Sequence, residues 1–214
     1  MGSATRVVVL GAGRHALVTG GYFEEAGFEP VVFIEEMPPP YDREVGAYGA
    51  PILTFEDDLA PYSEFPAIAA VGAPSLRQRL VARWAHDEYL TFVSSRAWLA
   101  SSVVIGLGST ISPLVGVNRM VKIGTHALVN PGAILGHDTV VGDFAVIGPS
   151  CAVAGGVSIG SAVFLGIGST VIGGIQVGAG AYIAAGAVVV EDVPEGELVM
   201  GVPARVAARR AGLG

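Results

Sequence analysis

An aliphatic residue stands at every sixth position from Leu99 to Val189, and no position in the run is missed. The series is Leu99, Ile105, Ile111, Val117, Ile123, Val129, Leu135, Val141, Ile147, Val153, Ile159, Leu165, Val171, Val177, Ile183 and Val189, sixteen hexads over residues 99 to 194 without an insertion. Half of the positions that follow an anchor are glycine, and four residues after it comes a small or branched side chain, such as Ala127, Ala133, Thr139, Ala145, Cys151, Val157 or Val163. Each hexad therefore reads as one short strand and a turn, with a narrow interior shared by the anchors and the small residues. Units this short cannot bury an apolar face alone, so they stack as a solenoid in which each coil hydrogen-bonds to its neighbours. An ordinary sandwich, with irregularly spaced strands, does not keep such a register.

Composition fits this reading. The 31 glycines exceed the usual share of about 7% without a Gly-X-Y period, so they serve tight turns rather than a collagen. With 51% hydrophobic residues in 214, the chain can fill one large core or two small ones. A net charge of -7, with Lys122 the one lysine among twelve basic residues, gives no basic field for nucleic acid. No apolar run approaches the ~20 residues of a membrane span, so a soluble, cytoplasmic protein is expected. The single cysteine, Cys151, excludes an internal disulfide and a cysteine-rich metal site. Its inward position makes it a buried, inert thiol and not a nucleophile.

Residues 1–95 follow another pattern. An apolar strand, Val7–Leu10, leads through Gly11-Ala12-Gly13-Arg14-His15 into a helix over Ala16–Ala26. A second strand, Val31–Ile34, ends in Glu35-Glu36 before the Pro38–Pro40 loop. A third, Ala67–Val71, precedes Gly72-Ala73-Pro74 and a basic helix over Ser75–Ala85, and residues 87–97 link this domain to the repeat. The βαβ order predicts a small parallel sheet in a Rossmann-like α/β domain. The turn at Gly11 and Gly13 gathers N–H groups and a helix N-terminus, a place for phosphate. Glu35 and Glu36 stand where open α/β sheets bind ribose or sugar, although a solvated turn explains them equally. For His15, a substrate contact and a role at the helix start both remain open. Trp84 and Trp98 read as packing residues.

In the repeat, His137 stands two places after Leu135 and points outward, where it can reach a ligand. Its neutral imidazole is suited to take a proton near pH 7, with Asp138 beside it to fix the tautomer; an ordinary surface histidine is the alternative. His126 points outward as well, but the bulk of Phe144 marks it as structural or as a subunit contact, and His86 reads as solvated. Beyond Val193-Pro194, Gly201-Val202-Pro203-Ala204-Arg205 closes the last coil ahead of a basic tail with Arg209 and Arg210. Arginines there suit the phosphates of coenzyme A, or are solvated.

The hexads, the Gly11-Ala12-Gly13-Arg14-His15-Ala16 turn, Val71-Gly72 with Arg77, the stretch Leu135-Gly136-His137-Asp138 and the closing Gly201–Arg205 loop together resemble the left-handed β-helix acyltransferases. Within them the chain is similar to the bacillosamine-pathway and perosamine nucleotide-sugar N-acetyltransferases and to sialic acid O-acetyltransferase. The resemblance spans nearly the whole chain. It implies a left-handed parallel β-helix at residues 96–214 behind a nucleotide-sugar-binding domain at residues 1–95, and a homotrimer with active sites between neighbouring helices. It also implies that three hexads close one coil, so that residues 18 apart stack. Gly155 and Gly173 then rise over His137, and Gly156 and Gly174 over Asp138, leaving a bare track along coils roughly 4.8 Å apart. The same resemblance makes His137 the general base with Asp138 in support, and the Gly155 N–H suits the oxyanion of an attacked thioester. It places acetyl-CoA along Gly155, Ile167, Ala184 and Ala185, and the nucleotide at Gly11, Gly13, His15, Glu35, Glu36 and Gly72. Arg14 departs from the glycine usual in the family and either crowds the turn or adds a cation for a diphosphate. Ala73-Pro74 lacks the polar side chain that often follows Gly72.

These features lead to an expected acetyl-CoA-dependent N-acetyltransferase of a nucleotide-linked 4-amino-deoxy sugar, with direct transfer and no metal. Two rivals are O-acetylation of a sugar hydroxyl and a non-catalytic sugar-binding β-helix. A metal-dependent β-helix enzyme fits less well, because His126 and His137 lie on different coil faces.

Overall fold

The computed structural model describes residues 4–37, 49–84 and 86–207. The expected Pro38–Pro40 loop, the helix residue Ala85, and Arg209 and Arg210 lie outside them. The chain divides into two compact units, Met1–Thr91 and Phe92–Gly214.

In the first unit, β1 (Thr5–Leu10), α1 (Arg14–Ala26), β2 (Phe28–Glu35), β3 (Ile52–Thr54), β4 (Ala67–Ala69) and α2 (Pro74–Trp84) follow one another. The strands form one sheet in the order β3-β2-β1-β4, with every pair parallel. Val7 to Leu10 are fully buried, as a continuous apolar run must be in a strand covered on both faces. Val8, Leu10, Val32 and Ile34 pack with Leu80 and Trp84 of α2. Strand alternation turns Val7, Val9 and Phe33 to the opposite face, and full burial of such a side chain stabilises by about 1.5–3 kcal/mol. Helix α1 begins two residues before the predicted Ala16, because Gly13 in extended conformation serves as its N-cap. It stops at Gly27, a left-handed C-cap whose N–H returns to the carbonyls of Phe23 and Glu24. Strand β2 is longer at both ends than predicted, and β3, only three residues long, was not predicted.

The second unit is a parallel β-solenoid. Two-residue strands recur from Phe92–Val93 to Val188–Val189 and collect in three sheets. Each strand pairs in parallel with the one 18 residues later: Lys122 with Val140, Leu128 with Val146, Ile134 with Ala152. The anchors Ile111 through Val189 are buried and share one core with the small residues Ala127, Ala133, Ala145 and Cys151. The coil begins earlier than the sequence implied, since Phe92-Val93, read as linker, pairs with Thr110-Ile111. At the far end the spacing contracts: Val177 bridges Val193 and Tyr182 pairs with Leu198, after which Leu198–Gly201 turns back antiparallel along Ala204–Ala207. Trp98 is an exception to the packing expected of it, being 62% exposed.

Two backbone demands set the repeat. The third residue after each anchor takes positive φ from Gly108 to Gly186, even where it is Leu114, Met120, His126, Asp138, Phe144, Ser150 or Ala162. Seven L-residues in that region show that the stacked coils enforce the turn over local preference. The residue directly after the anchor instead lies against the next coil. A methyl on Gly142 would sit 2.5 Å from the Ser161 nitrogen, and Gly106, Gly124, Gly160 and Gly178 in the same column are equally confined. Asn118 and Asn130 occupy the matching place on other corners and donate to the carbonyls of Leu135 and Ile147. Among the described residues, no helix is long and apolar enough to cross a membrane.

The confinement of Gly142 is testable. Gly142→Ala forces backbone to move and is expected to cost about 1–3 kcal/mol, seen as a Tm lower by about 2–4 °C per kcal/mol. Gly116→Ala, whose methyl meets nothing within 4 Å, should leave the Tm where it is.

Candidate active site

Two places gather the predicted residues, one in each unit. In the first unit the turns after β1 and β4 meet. Gly11 has φ 104°, and a methyl there would strike the Val71 side chain, so the turn after β1 closes against that after β4 only with glycine. A methyl on Gly72 would lie 3.8 Å from the His15 ring, so His15 stands beside Gly72 where the two turns meet at the C-terminal ends of the strands, the place of the crevice in open α/β sheets. Open α/β sheets bind ligands at such a place. Burial, and then the charge of Arg77, holds the His15 pKa down at about 4, so its ring is neutral at pH 7.

The acids behave differently from one another. Glu35 accepts the Ala12 N–H at 2.6 Å, so its carboxylate occupies the anion position of the glycine turn. Glu36 forms a two-point pair with Arg79 at 2.8 and 3.0 Å, which pulls its carboxyl below the ordinary range. The phosphate cradle expected at the turn is thus already capped at Ala12, and Glu36 is already paired. Arg14 is exposed at the first turn of α1.

In the solenoid, His137 and Asp138 stand exposed on one corner, with Nδ1 of the histidine 2.7 Å from Oδ2 of the aspartate. Left-handed backbone at Asp138 (φ 58°) turns the carboxylate back toward the ring before it. The His137 carbonyl accepts the Gly156 N–H at 2.8 Å, and the Gly155 carbonyl accepts that of Gly174 at 3.1 Å, so the two glycine columns rise over the pair as expected. A methyl on Gly155 would lie 2.5 Å from Nε2 of His137: the ring rests on the bare backbone of the next coil. Among the described residues the Gly155 N–H makes no hydrogen bond, which leaves it free for a ligand oxygen.

The other predicted contacts are not gathered there. Ile167, Ala184 and Ala185 line a different corner, where Ile167 is exposed and accepts the Gly186 N–H. Arg205 lies in the final antiparallel strand, 3.7 Å from Glu191. His126, expected to point outward, is only 8% exposed because its ring stacks on Phe144 at 5.0 Å and covers Gly108. Cys151 is buried with its thiol pKa raised by that burial. Among the described residues, no group of three or more His, Cys, Asp or Glu could hold a metal ion.

No protein-family model matches the chain, and no curated protein does. Solved structures match it along nearly its whole length. A histidine-to-asparagine variant of perosamine N-acetyltransferase from Caulobacter crescentus, in complex with CoA and GDP-perosamine, is 31% identical with a TM-score of 0.84, over 95% of this chain and 97% of that one. The chain belongs to the hexapeptide-repeat acetyltransferases. Two further relatives of this family are similar over 95% of the chain and 100% of theirs: the acetyltransferase domain of PglB from Neisseria gonorrhoeae, with acetyl coenzyme A, at 26% identity and TM-score 0.80, and WeeI from Acinetobacter baumannii at 25% and 0.79. As a hexapeptide-repeat acetyltransferase the protein is an acyltransferase.

Sequence reading missed the Glu36–Arg79 pair and the burial of Arg77. The second had a signal, since Arg77, Leu80 and Trp84 share one helical face. For this acetyltransferase, Gly155→Ala is expected to push the His137 ring off its seat and lower turnover about 100-fold or more, with an unchanged far-UV spectrum; turnover at the parent rate would show that the ring has no need of that seat.

Proposed function

We propose that the protein is an acetyl-CoA-dependent N-acetyltransferase acting on the 4-amino group of a nucleotide-linked amino-deoxy sugar, by direct transfer with His137 as general base. The observation that carries this reading is the seat of His137: Asp138 at its Nδ1, bare glycine backbone at its Nε2, and an unoccupied N–H on Gly155. The Caulobacter crescentus relative, whose crystals contain CoA and GDP-perosamine, supports both the donor and the acceptor class.

The chemistry follows from the geometry. Asp138 accepts the Nδ1–H and leaves Nε2 with its lone pair free. The neutral amine attacks the thioester carbonyl carbon as Nε2 takes its proton, and the new C–N bond leaves a tetrahedral oxyanion beside the Gly155 N–H. Collapse breaks the C–S bond, and the coenzyme A sulfur departs with the proton that the histidine returns. No acyl-enzyme forms, consistent with the burial of the lone cysteine.

The first unit holds the nucleotide in this reading, as a Rossmann-like domain. Its strand order is that of half a doubly wound sheet, and the crevice lined by Gly11, Gly13, His15 and Gly72 is where such sheets bind ligands. Because Glu35 already caps the glycine turn, the carboxylate's outer oxygen and His15 are the groups that meet ribose or sugar hydroxyls, while Arg14 is the nearby cation for the diphosphate. Glu36 reaches the ligand only by giving up Arg79.

Acetyl-CoA takes the track over Gly155. One chain offers Gly155 on one corner and Ile167, Ala184 and Ala185 on another, so a homotrimer of left-handed helices is proposed to join the two corners from adjacent subunits, with Arg205 for a phosphate. The exposed Leu114, Met120, Ile134, Val140 and Ile167 give the solenoid apolar surface for that assembly. Light scattering on the purified chain should return three times the monomer mass.

The decisive experiment is thiol release from acetyl-CoA with UDP-, dTDP- and GDP-linked 4-amino-6-deoxy sugars, the parent beside folded His137→Ala. Turnover with one of them, lowered about 10²–10⁴-fold by the substitution, is expected. Turnover only with hydroxyl acceptors would replace the amine by an alcohol, and binding without any turnover would reduce the solenoid to a scaffold.

A further inference from the structure

Arg77 is fully buried, on the face of α2 that carries Leu80 and Trp84 into the core of the first unit. An apolar side chain would fill that place without the cost of taking a cation out of water, and burial does pull the Arg77 pKa down to about 9. Packing alone therefore gives no reason for arginine here. Its contacts do. Nη1 donates to the Val71 carbonyl at 2.6 Å and to the Gly72 carbonyl at 3.4 Å. Val71 is the residue whose side chain closes on Gly11, and Gly72 is the residue that faces the His15 ring. One guanidinium thus grips both carbonyls of the turn after β4, whose other side forms the crevice with the turn after β1.

We propose that Arg77 is a positioning residue of the acceptor crevice, clamping the Val71-Gly72 turn so that His15 presents a fixed face to the bound sugar nucleotide. This rests on the reading of that crevice as the acceptor site. Arg77 touches no ligand and acts through its neighbours. Arg77 on α2 is the charged group that acts on the His15 ring; Arg14 precedes it in the chain, and Glu35 at the end of β2 is engaged by the Ala12 N–H. Burial first and the Arg77 charge second keep the ring neutral, with one nitrogen a donor and the other an acceptor. A fixed turn and a neutral ring suit a hydroxyl group, for which one tautomer supplies donor and acceptor together.

The test uses the full chain with two variants. Arg77→Gln keeps a donor for the carbonyls and removes the charge; Arg77→Lys keeps the charge and loses the planar fork. His15 is titrated by NMR on histidine-labelled protein, its signal assigned by its loss in His15→Asn. The parent signal should stay neutral down to about pH 4, that of Arg77→Lys should stay close to it, and that of Arg77→Gln should titrate at clearly higher pH. With the acceptor that turns over, KM for the acceptor should rise about tenfold in Arg77→Gln and less in Arg77→Lys, while kcat and KM for acetyl-CoA hold within about twofold. An unmoved His15 titration in folded Arg77→Gln, or a rise in both KM values together, would overturn the proposal. Should Arg77→Gln fail to fold, an unchanged acceptor KM in Arg77→Lys overturns it as well. The titration needs no acceptor, so it still decides the role of Arg77 if every sugar nucleotide proves inert.

Discussion

The parallel hydrogen bonds that tie each coil to the next at an offset of 18 residues are the constraint on which the solenoid depends. A two-residue strand has too few contacts to hold a conformation alone, and only the ladder above and below gives it one. The ladder is strong enough to hold leucine, methionine, phenylalanine and aspartate in left-handed backbone at the turns. Without that enforcement Asp138 would have no reason to fold its carboxylate back on His137. The same spacing brings Gly155 under the imidazole, so the chemistry of the site is a by-product of the register.

The first unit depends on a different device, the close approach of two turns. Gly11 has no side chain, Val71 takes that space, and Arg77 holds the far side of the same turn through its carbonyls. Glu35 then accepts the Ala12 N–H of the first turn. Side-chain contacts to two turns set this place, whereas a repeating backbone ladder sets the solenoid.

Those two logics account for what could be read in the sequence. The anchors are local and periodic, so the solenoid, its inward and outward faces and the exposed pair His137-Asp138 were legible from spacing, and the superfamily resemblance supplied the number of hexads per coil. Strand β3 escaped because Ile52–Thr54 has only three residues and no alternation long enough to count. The start of the coil at Phe92 escaped because the anchor at Val93 precedes a stretch, Ser94-Ser95-Arg96, that reads as linker. His126 was read as structural from the bulk of Phe144 one coil on, and the stacking of the two rings buries it further than an outward position implies. The partners of Glu35 and Glu36 come from distant parts of the chain, Arg77 reaches back to carbonyls outside its own helix, and no pattern in sixes or in helical turns encodes such pairs.

The uninterrupted run of coils has a further consequence. Every residue between Phe92 and Val189 is consumed by strand, anchor or turn, so this stretch has no spare segment to fold over His137. His137 cannot wait for a lid of its own coil to organise it. Its surroundings are set when the coil forms, and a ligand arriving there meets dipoles that need no rearrangement before reaction. A deletion of one residue anywhere below Gly155 would rotate the inward and outward faces out of step, and His137 would lose its seat without any change in the residues that form it.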